Sequence, residues 1–157
     1  MPVNKDDLIA KMVHARQRLD AALEHLVPQA EVYPAWKLKQ LLDHITGWDE
    51  LVAGAFRTHA QGGPPDTLMK PSGIDQYNAS SVEQRRAFSL EESRQAYHSS
   101  REVVINAIRD MPDDQLEQRF PAPWGGTCTV SSVVKIFADH ELEHARQIES
   151  RLGLHQA

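Results

Sequence analysis

The sequence predicts an all-α fold, an antiparallel four-helix bundle. Four segments carry apolar residues at steps of three and four, the period of a helix buried on one face. Proline and glycine punctuate these segments at their ends. Strand-type alternation is nowhere convincing, and amphipathic helices of about 20 residues bury their stripes best against one another.

The first helix carries Leu8, Met12, Ala15, Leu19, Ala22 and Leu26 on one face, with Asn4 as N-cap and Pro28 as terminator. The second runs from Lys37 to Ala60. Its broad apolar face is Leu38, Leu41, Leu42, Ile45, Trp48, Val52 and Phe56, and Gly62-Gly63-Pro64-Pro65 stops it. From there to Ser89 the chain reads as irregular, with Pro71, Gly73 and a candidate short helix across Asn78 to Arg86. A connection of about 25–30 residues is long for a plain bundle and more often functional. Ser89 and Glu92 form a capping box for the third helix, which turns Tyr97, Val104, Ile108 and Met111 inward and closes at Pro112. Pro121, Pro123, Gly125 and Gly126 make the next turn. The fourth helix spans Val130 to Leu152, stops at Gly153 and directs Val133, Phe137, His140, His144 and Ile148 inward.

A length of 157 residues fits one domain over 1–157 with a single core. The 41% hydrophobic and 25% charged content is that of a globular protein in water. A net charge of -5 offers no basic face, so nucleic acid is not an expected partner. Cys128 is the one cysteine, which excludes a disulfide framework and a CxxC site and suits a cytoplasmic setting. The polar start Asn4-Lys5-Asp6-Asp7 has no signal-like or membrane-spanning run, so no membrane is expected.

His140-Glu141-Leu142-Glu143-His144 carries the chemistry. Residues four apart on a helix are turned by only about 40°, so both imidazoles can reach one ion. Both lie in line with core residues, where an unpaired buried polar group costs about 1–3 kcal/mol. Metal coordination satisfies them; hydrogen bonds to carboxylates such as Asp43 or Glu143 are the alternative. His44, between Leu41 and Trp48, is the third candidate ligand, supplied by another helix. His14, His25, His59, His98 and His155 fit solvated or locally bonded roles better.

The letters also spell the H-E-x-x-H signature of zinc peptidases. That reading is the minor one. Only 13 residues follow His144, and the extended signature would need Gly and His where Gln147 and Ser150 stand. No strand offers an edge for a peptide.

Two segments resemble the DinB/YfiT-like superfamily of four-helix bundles. They are Trp36-Lys37-Leu38-Lys39-Gln40-Leu41-Leu42-Asp43-His44-Ile45 and Asp139-His140-Glu141-Leu142-Glu143-His144-Ala145-Arg146-Gln147-Ile148. The order and size of the helices agree, so the resemblance covers nearly the whole chain. It implies a divalent metal held by one histidine on helix two and an H-x-x-x-H pair on helix four, here His44, His140 and His144. His44-Ile45-Thr46-Gly47-Trp48-Asp49-Glu50 and the pair Tyr77-Asn78 resemble the ClbS/DfsB-like branch, which is associated with self-protection against a reactive natural product. Members of that branch often lack the pair on helix four, which this chain keeps. Lys37 departs from the capping Ser or Thr of many relatives. The resemblance further implies thiol-dependent transferases and isomerases using low-molecular-weight thiols, together with hydrolase-like members.

Three neutral imidazoles leave a divalent ion its charge and an open position, where a water or a thiol is acidified. Zinc, nickel, iron and copper suit such a site, zinc and nickel first. Glu141 is the most natural carboxylate to manage a proton; the alternative is a solvated helix residue. Trp48, Tyr77, Asn78 and Trp124 are the candidate substrate-binding residues, and Cys128 reads as a packing residue. The expected function is a metal-dependent transferase or hydrolase acting on a small electrophile, in detoxification or self-protection. The alternative is a non-catalytic protein that sequesters a small molecule. Bundles of this type often form homodimers.

Overall fold

The computed structural model describes residues 2–63 and 73–154. Five α-helices make up the fold: α1 (Lys5–Leu23), α2 (Leu38–Ala60), α3 (Ile74–Gln84), α4 (Leu90–Asp110) and α5 (Val130–Arg151). Two-residue strands β1 (Phe120–Pro121) and β2 (Thr127–Cys128) pair antiparallel just before α5. Four long helices form the bundle, with α1 against α5 and α2 against α4, while α3 leans on α2.

Local chemistry sets the helix ends. Asn4 Oδ1 accepts from Asp6 N–H at 2.8 Å, and Ser89 Oγ accepts from Glu92 N–H at 3.0 Å. Thr129 and Ser132 exchange the corresponding pair of bonds at the start of α5. At α2, Gln40 Oε1 accepts from Lys37 N–H at 2.9 Å, so a residue inside the helix does the work that a capping hydroxyl would do. Gly153 stops α5 with φ +72°, the left-handed conformation that glycine adopts without strain.

Three expectations need correction. The first helix ends at Leu23, and Leu26 packs from the turn that follows. The short helix in the long connection is α3, which begins four residues before Asn78 and ends at Gln84. A small hairpin closes the turn before α5, where only irregular chain was expected. Pro64, Pro65 and Pro71 lie outside the described residues.

Burial divides the core in two. One apolar cluster gathers Leu8, Met12, Val52, Phe56, Val104 and Ile108 with Val133 and Val134. The other gathers Leu19, Leu41, Leu42, Ile45, Tyr97 and Ile148. Between them in sequence on every long helix stands one buried charge: Arg16, Asp49, Arg101 and Glu141. The candidate site lies beside this charged layer.

Candidate metal centre

α2 supplies His44, and α5 supplies His140 and His144 one turn apart. Each offers a nitrogen, and the three nitrogens lie within 4.8 Å of one another. His140 Nε2 and His144 Nε2 face each other at 2.8 Å. His44 Nδ1 is buried without a hydrogen-bond partner, a cost that a ligand would remove. Three imidazole nitrogens converging from two helices are a donor set that would suit a divalent ion such as zinc. Burial, with His140 nearby, pushes His44 down to about 4, and burial with His140 and His44 pushes His144 down to about 3. Partial desolvation by the crowded cluster lowers His140 as well, against the pull of Glu141 and Glu143, although the residue is exposed by surface area. All three rings are therefore neutral at pH 7, the form that donates a lone pair to a metal. The residues present fit a divalent ion.

A tight turn outside the helices seats two aromatic rings on this cluster. Trp36 N–H donates to Tyr33 O at 2.8 Å, with Pro34 and Ala35 between them. Ala35 has φ +67°, the conformation that a type II turn ordinarily gives to glycine. The Trp36 ring lies 5.0 Å from His44, and the Tyr33 ring 5.5 Å from His144. The Tyr33 hydroxyl is 2.6 Å from His144 Nδ1 and donates to Gln147 Oε1 at 2.5 Å. Burial, with Glu143 nearby, raises its pKa to about 12, so it remains a neutral hydroxyl.

A cavity of about 290 Å³ opens beside His44 and His140. Trp48, Trp124, Ile136 and Phe137 give it an apolar wall. Trp124 sits in the hairpin loop, 6.2 Å from Trp48 and 6.4 Å from Phe137 between ring centres. Asn78 lines the cavity and accepts from Trp48 Nε1 at 2.6 Å. Tyr77 stands elsewhere: its ring buttresses Trp48 at 5.1 Å and its hydroxyl donates to Gly47 O at 2.6 Å. Of the four candidate substrate-binding residues, Trp48, Asn78 and Trp124 meet at the cavity, whereas Tyr77 supports Trp48 from outside its lining.

Glu141 is not a solvated helix residue. It is 3% exposed, while His140, expected to point inward, is exposed. Arg16 Nε and Nη2 donate to Glu141 Oε1 at 3.1 and 2.8 Å, and Arg101 holds both carboxylate oxygens. Asp49 accepts from Arg16 and from Arg101, each at 3.0 Å, and from Ser100 Oγ at 3.2 Å. Burial alone would raise the Glu141 pKa, but Arg101 and Arg16 overcome it and hold the carboxyl below its usual range. Asp49, Arg101 and Glu141 also line the cavity, so the charged layer forms its polar floor. Sequence reasoning missed Arg16, Asp49 and Arg101. Their signal was phase: each falls four residues after one core residue and three before the next, as Arg16 does between Met12 and Leu19.

The other histidines behave as expected where they are described. His14, His25 and His98 are exposed, and His59 is locally bonded, stacking on Phe120 at 4.3 Å with Nε2 2.9 Å from Gln115 O. His155 lies outside the described residues. Cys128 is buried in the core, and burial pushes its thiol up to about 11, which suits packing better than nucleophilic attack.

Fold and geometry together define a four-helix bundle with three convergent histidines beside an apolar cavity. A family model described as DinB superfamily matches residues 11–148, and the chain belongs to that superfamily. Among solved structures, the colibactin self-resistance protein ClbS in complex with dsDNA superposes with TM-score 0.78 at 16% identity, covering 99% of each chain. The mycothiol-dependent maleylpyruvate isomerase superposes with TM-score 0.74 at 12% identity. That match covers 93% of this chain, which spans only 61% of the isomerase. An uncharacterised protein from Escherichia coli UTI89 superposes with TM-score 0.73 at 17% identity, covering 99% of this chain and 98% of that one. No curated protein matches the sequence. At these identities the likeness is one of fold. Among the described residues, no helix is long and apolar enough to cross a membrane.

Proposed function

We propose that the chain is a metal-dependent enzyme of one domain that transfers a thiol to, or hydrolyses, a small electrophilic molecule in the cytoplasm. The convergence of His44, His140 and His144 carries this proposal. An ion held by three neutral imidazoles keeps its charge and supplies Lewis acidity, lowering the pKa of a water or thiol beside it. Zinc and nickel are the first candidates. A low-molecular-weight thiol as second substrate draws support from the fold neighbour that is named for its dependence on mycothiol.

The chain's own residues do the rest. Trp48, Trp124, Ile136 and Phe137 exclude water and hold the apolar body of the substrate beside the histidines. Asn78 fixes the Trp48 ring through its indole N–H, and Tyr77 backs it. Glu141 is bound on both oxygens by arginines and is a weak base, so it acts by positioning: it holds Arg101 at the cavity floor rather than carrying a proton.

Metal analysis of tag-free protein, then a thiol-transfer screen with and without chelator, tests the proposal. We expect stoichiometric divalent metal, turnover lost with chelator, and both lost in His144→Ala. Protein that purifies without metal and keeps its activity after loss of all three histidines would overturn it. The apolar cavity also fits a sequestering protein, which would take up ligand stoichiometrically, without product and regardless of chelator. The net charge of -5 argues against phosphate-backbone binding here, although the ClbS structure contains dsDNA.

A further inference from the structure

The hydrogen bonds around His144 run in one direction, and that direction can be read from the outermost group. Glu143 carries a carboxylate, which only accepts. Gln147 Nε2 donates to Glu143 Oε1 at 3.2 Å, which turns Gln147 Oε1 toward Tyr33. The Tyr33 hydroxyl has one proton and donates it to Gln147 Oε1 at 2.5 Å. The same hydroxyl oxygen lies 2.6 Å from His144 Nδ1. With its proton committed to Gln147, that oxygen is an acceptor, so Nδ1 carries the hydrogen. A neutral imidazole has only one N–H. His144 Nε2 is therefore a lone pair, and it faces His140 Nε2 at 2.8 Å.

We propose that Tyr33, held by Gln147 and Glu143, is a positioning residue that sets His144 in the tautomer whose Nε2 lone pair faces the histidine cluster. Facing that lone pair, His140 donates from Nε2 in the metal-free protein. His140 is exposed, so it exchanges its proton with water and frees Nε2 when a ligand atom is needed. His144 is buried without that freedom, and its tautomer is set in advance. Local strain points the same way. Ala35 holds a positive φ in the turn that places Tyr33, a conformation that costs a residue with a side chain.

The purpose of this arrangement rests on the metal-site proposal, but the tautomer does not. Long-range 1H–15N correlation spectra of metal-free protein labelled with 15N-histidine read it directly. The expected spectrum shows His144 protonated on Nδ1. Gln147→Leu frees the tyrosine proton for Nδ1 and moves His144 to the Nε2–H form; Gln147 is exposed, so packing is spared. Tyr33→Phe leaves His144 as a mixture of tautomers. Zinc affinity of the Gln147→Leu protein is expected to fall about 10- to 100-fold. A wild-type His144 protonated on Nε2, or one that stays on Nδ1 in both variants, overturns the proposal. If the tautomers behave as stated while the wild-type protein binds no metal, the metal proposal fails and the positioning of His144 stands.

Discussion

Burial holds His44 and His144 neutral, and that neutrality has a pH signature in metal-free protein. His44 and His144 titrate near 4 and 3 in the fold, against an ordinary histidine value of about 6.5 in the unfolded chain. Between these values the unfolded chain binds protons that the folded one refuses, so stability rises with pH across that window. With chelator present, the melting temperature should be flat above pH 7 and decline from pH 6.5 toward 4. His44→Asn should make the decline shallower; an unchanged profile would count against buried neutral rings. At this scale the sequence was legible where spacing alone decides, as with His140, His144 and the inward His44. Tyr33 was not legible, because its place depends on a turn whose positive φ falls on an alanine. The burial of Glu141 was not legible, because a glutamate between His140 and Leu142 on a charged helix reads equally well as a solvated residue.

At the scale of elements, the cavity depends on how closely α3 approaches α2. A Cβ added to Gly47 would lie 2.3 Å from Ser81 Oγ and 2.6 Å from Ser81 Cβ, both far inside contact distance. Ser81 is 3% exposed, and its Cβ moves only if α3 moves. α3 also carries Asn78 and Tyr77, which brace the Trp48 ring. Gly47→Ala gains about 1 kcal/mol in helix propensity. The overpacking is expected to outweigh that gain and give a net loss of about 1–2 kcal/mol. Denaturant melts of Gly47→Ala, and of Gly47→Ala with Ser81→Gly, measure both effects. The double variant should recover stability and the wild-type Trp48 emission, and no recovery would refute the close-approach account. The four long helices were legible from periodicity and caps. The position of α3 was less so, because its mean period is weak and its docking depends on a glycine that has no pattern of its own.

Across the whole molecule, one charged layer crosses the bundle and touches every long helix. Arg16, Asp49, Arg101 and Glu141 balance two positive against two negative charges, and none is more than 6% exposed. Burying four charges is costly, and their mutual attraction offsets the cost only if every partner is present. The layer therefore specifies the arrangement more than it stabilises it, since a helix shifted by one turn would put its charge into apolar packing. The sequence held the signal in the phase of these residues but not their pairing, because which helices face one another is decided by packing across the bundle. Two substitutions separate the effects. Glu141→Gln leaves two buried arginines sharing Asp49, and a loss of about 3–5 kcal/mol is expected. Arg16→Met combined with Glu141→Leu removes one charge of each sign, leaves the Arg101–Asp49 pair intact, and should recover most of that loss. Thermal and denaturant unfolding decide between them. If the single variant is as stable as wild type, the layer is not acting as a closed set of charges. If the double variant is the less stable of the two, the ion pairs themselves contribute more than apolar packing would, and the layer is a source of stability as well as of register.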